Sequence, residues 1–289
     1  MQMGIEQNVS GGNGKVSNES KKNKRRRQRK LSPVQKLYEA CSEVFADCGP
    51  SIVPSPDKVE KLAAVMVSYL YIMRADGMVQ GDVGLRPNMP FFVNERSPII
   101  SYLRLHECEK FSIGIFCLPP KSVIPLHNHP GMTVFSKILF GTMHVKAYDW
   151  SNEVNVDKNI DVTAVKAITP RSHPDGLRLA KLKVDSEFTA PCKTSILYPS
   201  DGGNMHCFTA KTACAVLDVL GPPYCDPDGR HCQYYLEFPF AKLSAEGVSM
   251  PEGEEEEEEE GCAWLKERGK PKDLSVVGVC YNGPKITKK

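Results

Sequence analysis

Seven histidines are spread over 289 residues, yet two of them, His127 and His129, stand one residue apart in the stretch KSVIPLHNHPGMTVFSKILFG. On an extended segment residues i and i+2 face the same side, which brings two imidazoles within reach of one divalent ion. Pro125 and Pro130 stiffen the segment and reduce the ordering that an ion would have to impose. The same pair also fits two polar residues in a surface turn, so a metal centre needs a third ligand. His206 is best placed to supply it. It follows the turn PSDGGNM and opens an apolar run, as expected where one strand faces another across a pocket.

Twelve residues further on, Asp218 sits inside the apolar run CAVLDVLG. A carboxylate in such a run is costly to bury unless it is paired. Either it orients a ligand imidazole through the second ring nitrogen, or it faces solvent from a half-buried strand. The other four histidines have no partner at ligand spacing. His106 and His173 are expected in surface loops, His144 lies in an alternating strand, and His231 follows a PDGR turn.

The elements that must hold these side chains are mainly β. From about Phe111 onward, short runs of apolar, aromatic and β-branched residues alternate with Gly, Pro, Asp and Asn. The runs FSIGIFCL, TVFSKILF, TMHVKAYDW, LAKLKVD, TSILYP, HCFTA, CAVLDVLG, YYLEF and LSVVGVCY read as strands of a sandwich or small barrel. Gly141 alone separates two of them, which predicts a tight hairpin. Two helices precede the strands. One begins at Ser32 and Pro33, carries Val34, Leu37, Tyr38, Cys41 and Val44 on one face and stops by Gly49. The other begins at Ser55 and Pro56 with Val59, Leu62, Val65 and Met66 on one face.

A length of 289 residues with 41% hydrophobic composition supports one substantial core with tails. A net charge of +2 makes no global case for nucleic-acid binding, but the charge is segregated. Residues 21–30 read KKNKRRRQRK within a tail, residues 1–30, too poor in apolar groups to fold. That run is either a solubilising tail or a nuclear import signal, and nothing beside it resembles a DNA-reading helix. Residues 252–260 are nearly pure glutamate and read as a solvated surface insertion spanning about 251–261. Eleven scattered cysteines without a CxxC pair point to free thiols in a reducing compartment, and no apolar run approaches membrane-spanning length.

The segment HNHPGMTVFSKILFG resembles the first cupin motif, with Val134 where the usual cupin carries a ligating glutamate, and His206 fits the single histidine of the second motif. Three neutral imidazoles leave a divalent ion its full charge, which favours an anionic thiolate ligand. Within the cupins the chain resembles the plant cysteine oxidases, relatives of animal cysteamine dioxygenase. The resemblance rests on IGIFCLPPKSVIPLHNHPGMTVFSKILFGTMHVKAYDW, ILYPSDGGNMHCFTA, AVLDVLGPPY and CQYYLEFPF.

It implies a cupin-type double-stranded β-helix, a jelly-roll barrel, over residues 31–289, with helices at about 31–75 packed outside. It further implies Fe(II) held by His127, His129 and His206, Asp218 as a supporting carboxylate, and Tyr224 near the substrate amine. Cys232 and Tyr234 would lie near the iron. The implied reaction adds both atoms of O2 to an N-terminal cysteine of ethylene-response transcription factors, making an oxygen sensor that feeds an arginine N-degron pathway in nucleus and cytoplasm. A monomer is expected, with no membrane or direct nucleic-acid partner. Ile124, Leu126 and Phe208 are expected to exclude water from the site. The rival is a non-enzymatic metal-binding cupin module whose basic tail contacts nucleic acid; a second rival keeps the chemistry and changes the metal to Ni, Mn or Zn.

Overall fold

The computed structural model describes residues 31–67, 99–151, 176–240 and 261–288. The basic tail, the continuation of the second helix towards residue 75, the loop carrying His173 and the glutamate run lie outside the described residues.

Helix α1 (Pro33–Val44) starts as expected, with the Ser32 side chain accepting a hydrogen bond from the Gln35 amide at 3.2 Å and Pro33 in the first turn. It ends five residues before Gly49. Phe45 leaves the helix to bury itself completely against the sheet, 6.1 Å from the Phe111 ring and 6.3 Å from that of Phe135. Gly221 makes room for it, since a β-carbon there would lie 2.6 Å from Phe45 Cζ. Helix α2 (Pro56–Val67) buries Val59, Leu62 and Met66. Both helices contribute to one apolar cluster with Ile113, Ile115, Phe135, Leu217 and Val219 of the sheet.

The strands are β1 (Ile100–Glu107), β2 (Ser112–Leu118), β3 (Val123–His127), β4 (Thr133–Phe140), β5 (Thr142–Trp150), β6 (Leu177–Thr189), β7 (Ser195–Leu197), β8 (Met205–Ala210), β9 (Cys214–Gly221), β10 (Tyr234–Pro239), β11 (Cys262–Arg268) and β12 (Val276–Val279). One sheet runs β12-β1-β2-β9-β4-β7. The other six close in the order β10-β11-β6-β5-β8-β3, the last junction being made where Tyr234 pairs with His127. Apart from the parallel β1–β12 pair, every pairing of strands among the described residues is antiparallel. This is the expected double-stranded β-helix. β4 and β5 are joined through Gly141 alone, at φ +87°, but they do not form the predicted hairpin: β4 pairs with β7 and β9 in one sheet and β5 with β6 and β8 in the barrel, so the glycine carries the chain from one sheet to the other.

Three strands were not among the runs read from the sequence. In β1, exposed Arg104 and Glu107 dilute the apolar pattern, β3 has only five residues with Pro125 at its centre, and in β11 only Ala263 and Leu265 are buried. His106 is a correction too. Instead of lying in a surface loop it sits in β1, 8% exposed, with its ring 4.8 Å from Tyr38 and 5.0 Å from Phe111 beneath α1.

Candidate metal centre

His206, second residue of β8, stands directly opposite His127, last residue of β3. The register between these strands shifts between Ile124 and His127. The irregularity changes which side chains face inward, so Ile124 and His127, three residues apart, both line the interior cavity. Leu126 is turned to the other side, into a cluster with Tyr148 and Met205, and so does not shield the site as the sequence suggested. His129 lies just beyond β3, so only part of the HNH stretch is strand. The three imidazoles nevertheless converge, with ring centroids 4.7–4.9 Å apart, and are 4–8% exposed. Their candidate ligand atoms all lie within 4.8 Å of one another.

The loop that holds His129 is tied on two sides. Asn204 Nδ2 donates to the carbonyls of His129 at 2.9 Å and Tyr198 at 2.8 Å, and Asn204 Oδ1 accepts from the His129 amide at 3.1 Å. Asp149, 6% exposed at the end of β5, in turn accepts from the amides of Gly203 and Asn204. Gly203 is obligatory there. Its φ is +86°, and a β-carbon would meet that of Ala147 at 2.6 Å. On the other side, Asn128 donates its backbone amide to the Gln233 carbonyl at 3.1 Å and uses Oδ1 to accept from the Gln233 amide at 2.9 Å. Asn204, Asp149 and Asn128 were all missed at the level of sequence. The only local signal was that the turn DGGN and the residue between the two histidines carry amides rather than arbitrary polar groups.

Two tautomers follow from acceptor chemistry. His127 Nδ1 is 2.8 Å from the Pro125 carbonyl, which can only accept, so that nitrogen carries the proton. Tyr224 has a single hydroxyl proton, which it donates to the Asn128 carbonyl at 2.7 Å; its oxygen therefore accepts from His129 Nδ1 at 3.0 Å. Both arrangements leave Nε2 as a lone pair. Burial pushes all three imidazoles below their ordinary pKa, and the neighbouring histidines push His129 and His206 further down. His129 Nε2 and His206 Nε2 are 3.1 Å apart, a separation that two nitrogens sharing one ion at roughly 2.1 Å adopt. Buried, neutral, oriented imidazoles are what a divalent transition metal requires, so the residues fit an ion.

The triad lies in a cavity of about 460 Å³ whose lining also includes Asp218, Tyr224, Cys232, Tyr234 and Tyr102. Asp218 is 6% exposed, so it is no solvent-facing aspartate. Among the described residues no hydrogen bond joins it to the imidazole of His127 or His129. His127 and His129 have their Nδ1 partners elsewhere, and Asp218 Oδ1 has no hydrogen-bond partner among the described residues. Burial pushes its carboxyl up to about 7, with Ser136 opposing the shift. Tyr224 supports His129 directly. Cys232 interacts with the hydroxyls of both Tyr224 and Tyr234, its thiol raised by burial and lowered by those two contacts. Val134 is buried beside Met132 and Leu197, with Tyr224 packed against the group, and adds no charge. Arg104 reaches the cavity from β1, but its guanidinium is largely exposed and paired with Glu107 at 2.6 Å.

The PCO_ADO family model matches residues 75–286. The chain belongs to this family. It is 54% identical to plant cysteine oxidase 2 of Arabidopsis thaliana over 93% of this chain and 89% of the relative. Identity to plant cysteine oxidase 1 of the same plant is 54% over 89% and 81% of the two chains. The human 2-aminoethanethiol dioxygenase is 30% identical over 85% of this chain and 88% of its own.

Proposed function

We propose that this PCO_ADO protein is an Fe(II)-dependent thiol dioxygenase that converts an N-terminal cysteine of protein substrates to cysteine sulfinic acid. The observation that carries this is the donor set: three buried neutral imidazoles and no ligating carboxylate. Bound there, iron would supply undiminished positive charge to acidify the substrate thiol, and a site for dioxygen activation. The balance is R–SH + O2 giving R–SO2H; two S–O bonds form, the O–O bond breaks, and sulfur loses the four electrons that dioxygen gains.

The chain's own residues do the rest. Tyr224 and the Pro125 carbonyl hold His129 and His127 in their ligating tautomers. Ile124 and Phe208 furnish apolar wall beside the triad, and Asp218 is a buried carboxyl placed to exchange a proton with substrate. A cavity of about 460 Å³ accommodates a cysteine and the start of a following chain. Among the described residues the lining carries one arginine, Arg104, already paired with Glu107, and one lysine, Lys270, so no arginine is free to clamp a cysteine carboxylate. This supports a substrate whose cysteine carboxyl is an amide, with free cysteine poorly used. The names of the Arabidopsis relatives support cysteine oxidation. From the same resemblance we extend the substrates to ethylene-response transcription factors exposing Cys after removal of Met. Oxidation would then act as an oxygen signal through the arginine N-degron pathway, in nucleus and cytoplasm, with residues 21–30 as the import signal.

The test is to supply Fe(II), O2 and a short Cys-initiated peptide and measure peptide mass. Addition of two oxygens, lost in His206→Ala, is the expected result. An unoxidised peptide, or undiminished oxidation in the variant, overturns the proposal. Parallel loading with Ni, Mn or Zn identifies the active metal.

A further inference from the structure

Tyr102 enters the cavity from β1, a strand invisible in the sequence, and does so by a specific packing device. In the β1–β2 register it stands opposite Phe116, and the two rings are 4.8 Å apart. Its ring also leans diagonally across Gly114, two residues along β2. A β-carbon at Gly114 would lie 2.5 Å from the phenol oxygen and 2.7 Å from Cζ, so only glycine admits the ring in this position. On the far side of β2, Gly114 stands opposite Asp218 of β9. The missing side chain therefore lets a phenol from β1 reach over one strand toward the buried carboxyl on the next. Both Tyr102 and Asp218 line the cavity that contains the three histidines.

Among the described residues the Tyr102 hydroxyl has no hydrogen-bond partner. Burial and, secondarily, the Asp218 charge push its pKa up to about 12, so it stays a protonated donor at physiological pH. A donor that opens into the substrate cavity, over a glycine that leaves room for its ring, is available to an acceptor on the ligand.

Resting on the thiol dioxygenase function proposed above, we propose that Tyr102 donates a hydrogen bond to the amide carbonyl of the substrate's N-terminal cysteine and so selects a peptidyl cysteine over a simple aminothiol. A peptide substrate brings one group that a small aminothiol lacks, the carbonyl between its cysteine and the next residue. The thiol and amine are common to both, and the acidic Asp218 beside Tyr102 disfavours a free carboxylate at the same place. Gly114 is then a positioning residue acting through Tyr102.

The experiment compares two ligands on the Fe(II)-loaded, oxygen-free protein by calorimetric titration: a Cys-Gly-Gly-initiated peptide and 2-aminoethanethiol, which has no carbonyl. The quantity of interest is the ratio of their affinities. Tyr102→Phe is expected to reduce the preference for peptide about five- to tenfold, the effect of one lost hydrogen bond to a neutral acceptor. Gly114→Ala, which displaces the ring while keeping the hydroxyl, is expected to do the same, because the atoms it meets belong to the movable end of a side chain. An unchanged ratio in a folded, iron-loaded Tyr102→Phe protein overturns the inference, including the case in which both ligands weaken equally. If Gly114→Ala fails to fold, Tyr102→Phe alone decides. Failure of the wild-type protein to bind or oxidise the peptide would instead remove the functional proposal itself.

Discussion

The Tyr224 hydroxyl lies 3.0 Å from Nδ1 of His129 while donating to the Asn128 carbonyl at 2.7 Å. One phenol thus sets the tautomer of a metal ligand and ties the loop that carries it. Tyr224→Phe removes both contacts without opening a cavity. We expect metal affinity, measured by competition with a chelator, to fall about 10- to 100-fold, with activity falling alongside it.

His206→Ala removes one of three nitrogens from a site that lacks a carboxylate to compensate. Purified variant protein is expected to retain little metal by elemental analysis and to leave a Cys-initiated peptide unoxidised, while its far-UV circular dichroism stays close to wild type. Retention of stoichiometric tightly bound metal would argue against the triad.

Asn204 makes three side-chain hydrogen bonds, two of them to the backbone of His129. Asn204→Ala leaves those buried groups without partners. A stability loss of about 2–3 kcal/mol in urea denaturation is expected, together with weaker metal binding because the His129 loop is no longer clamped.

Asp218 gives a pH dependence of defined sign. Its carboxyl is raised in the fold from 3.8 to about 7, so between these values the folded state holds a proton that the unfolded chain has released. Stability in the metal-free protein therefore falls as pH rises from about 4 and levels off above about 7, with an upper bound of roughly 4 kcal/mol from this group. Asp218→Asn should lack this contribution, so the difference in melting temperature between variant and wild type should widen from pH 5 to pH 8. A difference independent of pH would mean that the carboxylate is stabilised in the fold.

Phe45 is fully buried between the helices and the sheet and fills the space over Gly221. Phe45→Ala is expected to cost about 3–5 kcal/mol, while Gly221→Ala should destabilise by overpacking the same contact. Chemical denaturation of both variants measures the two opposite ways of spoiling one fit.

The three histidines were legible in the sequence because ligand chemistry depends on residue type and short spacing, and Val134 was informative for the same reason: an absent carboxylate is visible in one letter. Helix α1 could be placed from Ser32 and Pro33 because capping is local. What the sequence could not decide was everything set by strand register. The irregularity in β3 turned Leu126 away and His127 inward. Asp218 was recognisable as an anomalous buried charge, but its neighbours depend on β2 and β4, more than 80 residues earlier in the chain. The Tyr102–Gly114–Asp218 alignment joins three strands through pairings that no local pattern encodes. Residue chemistry alone thus determined that an all-imidazole metal centre was available. Tertiary structure decided which groups surround it, because a one-residue change of register exchanges the two faces of a strand.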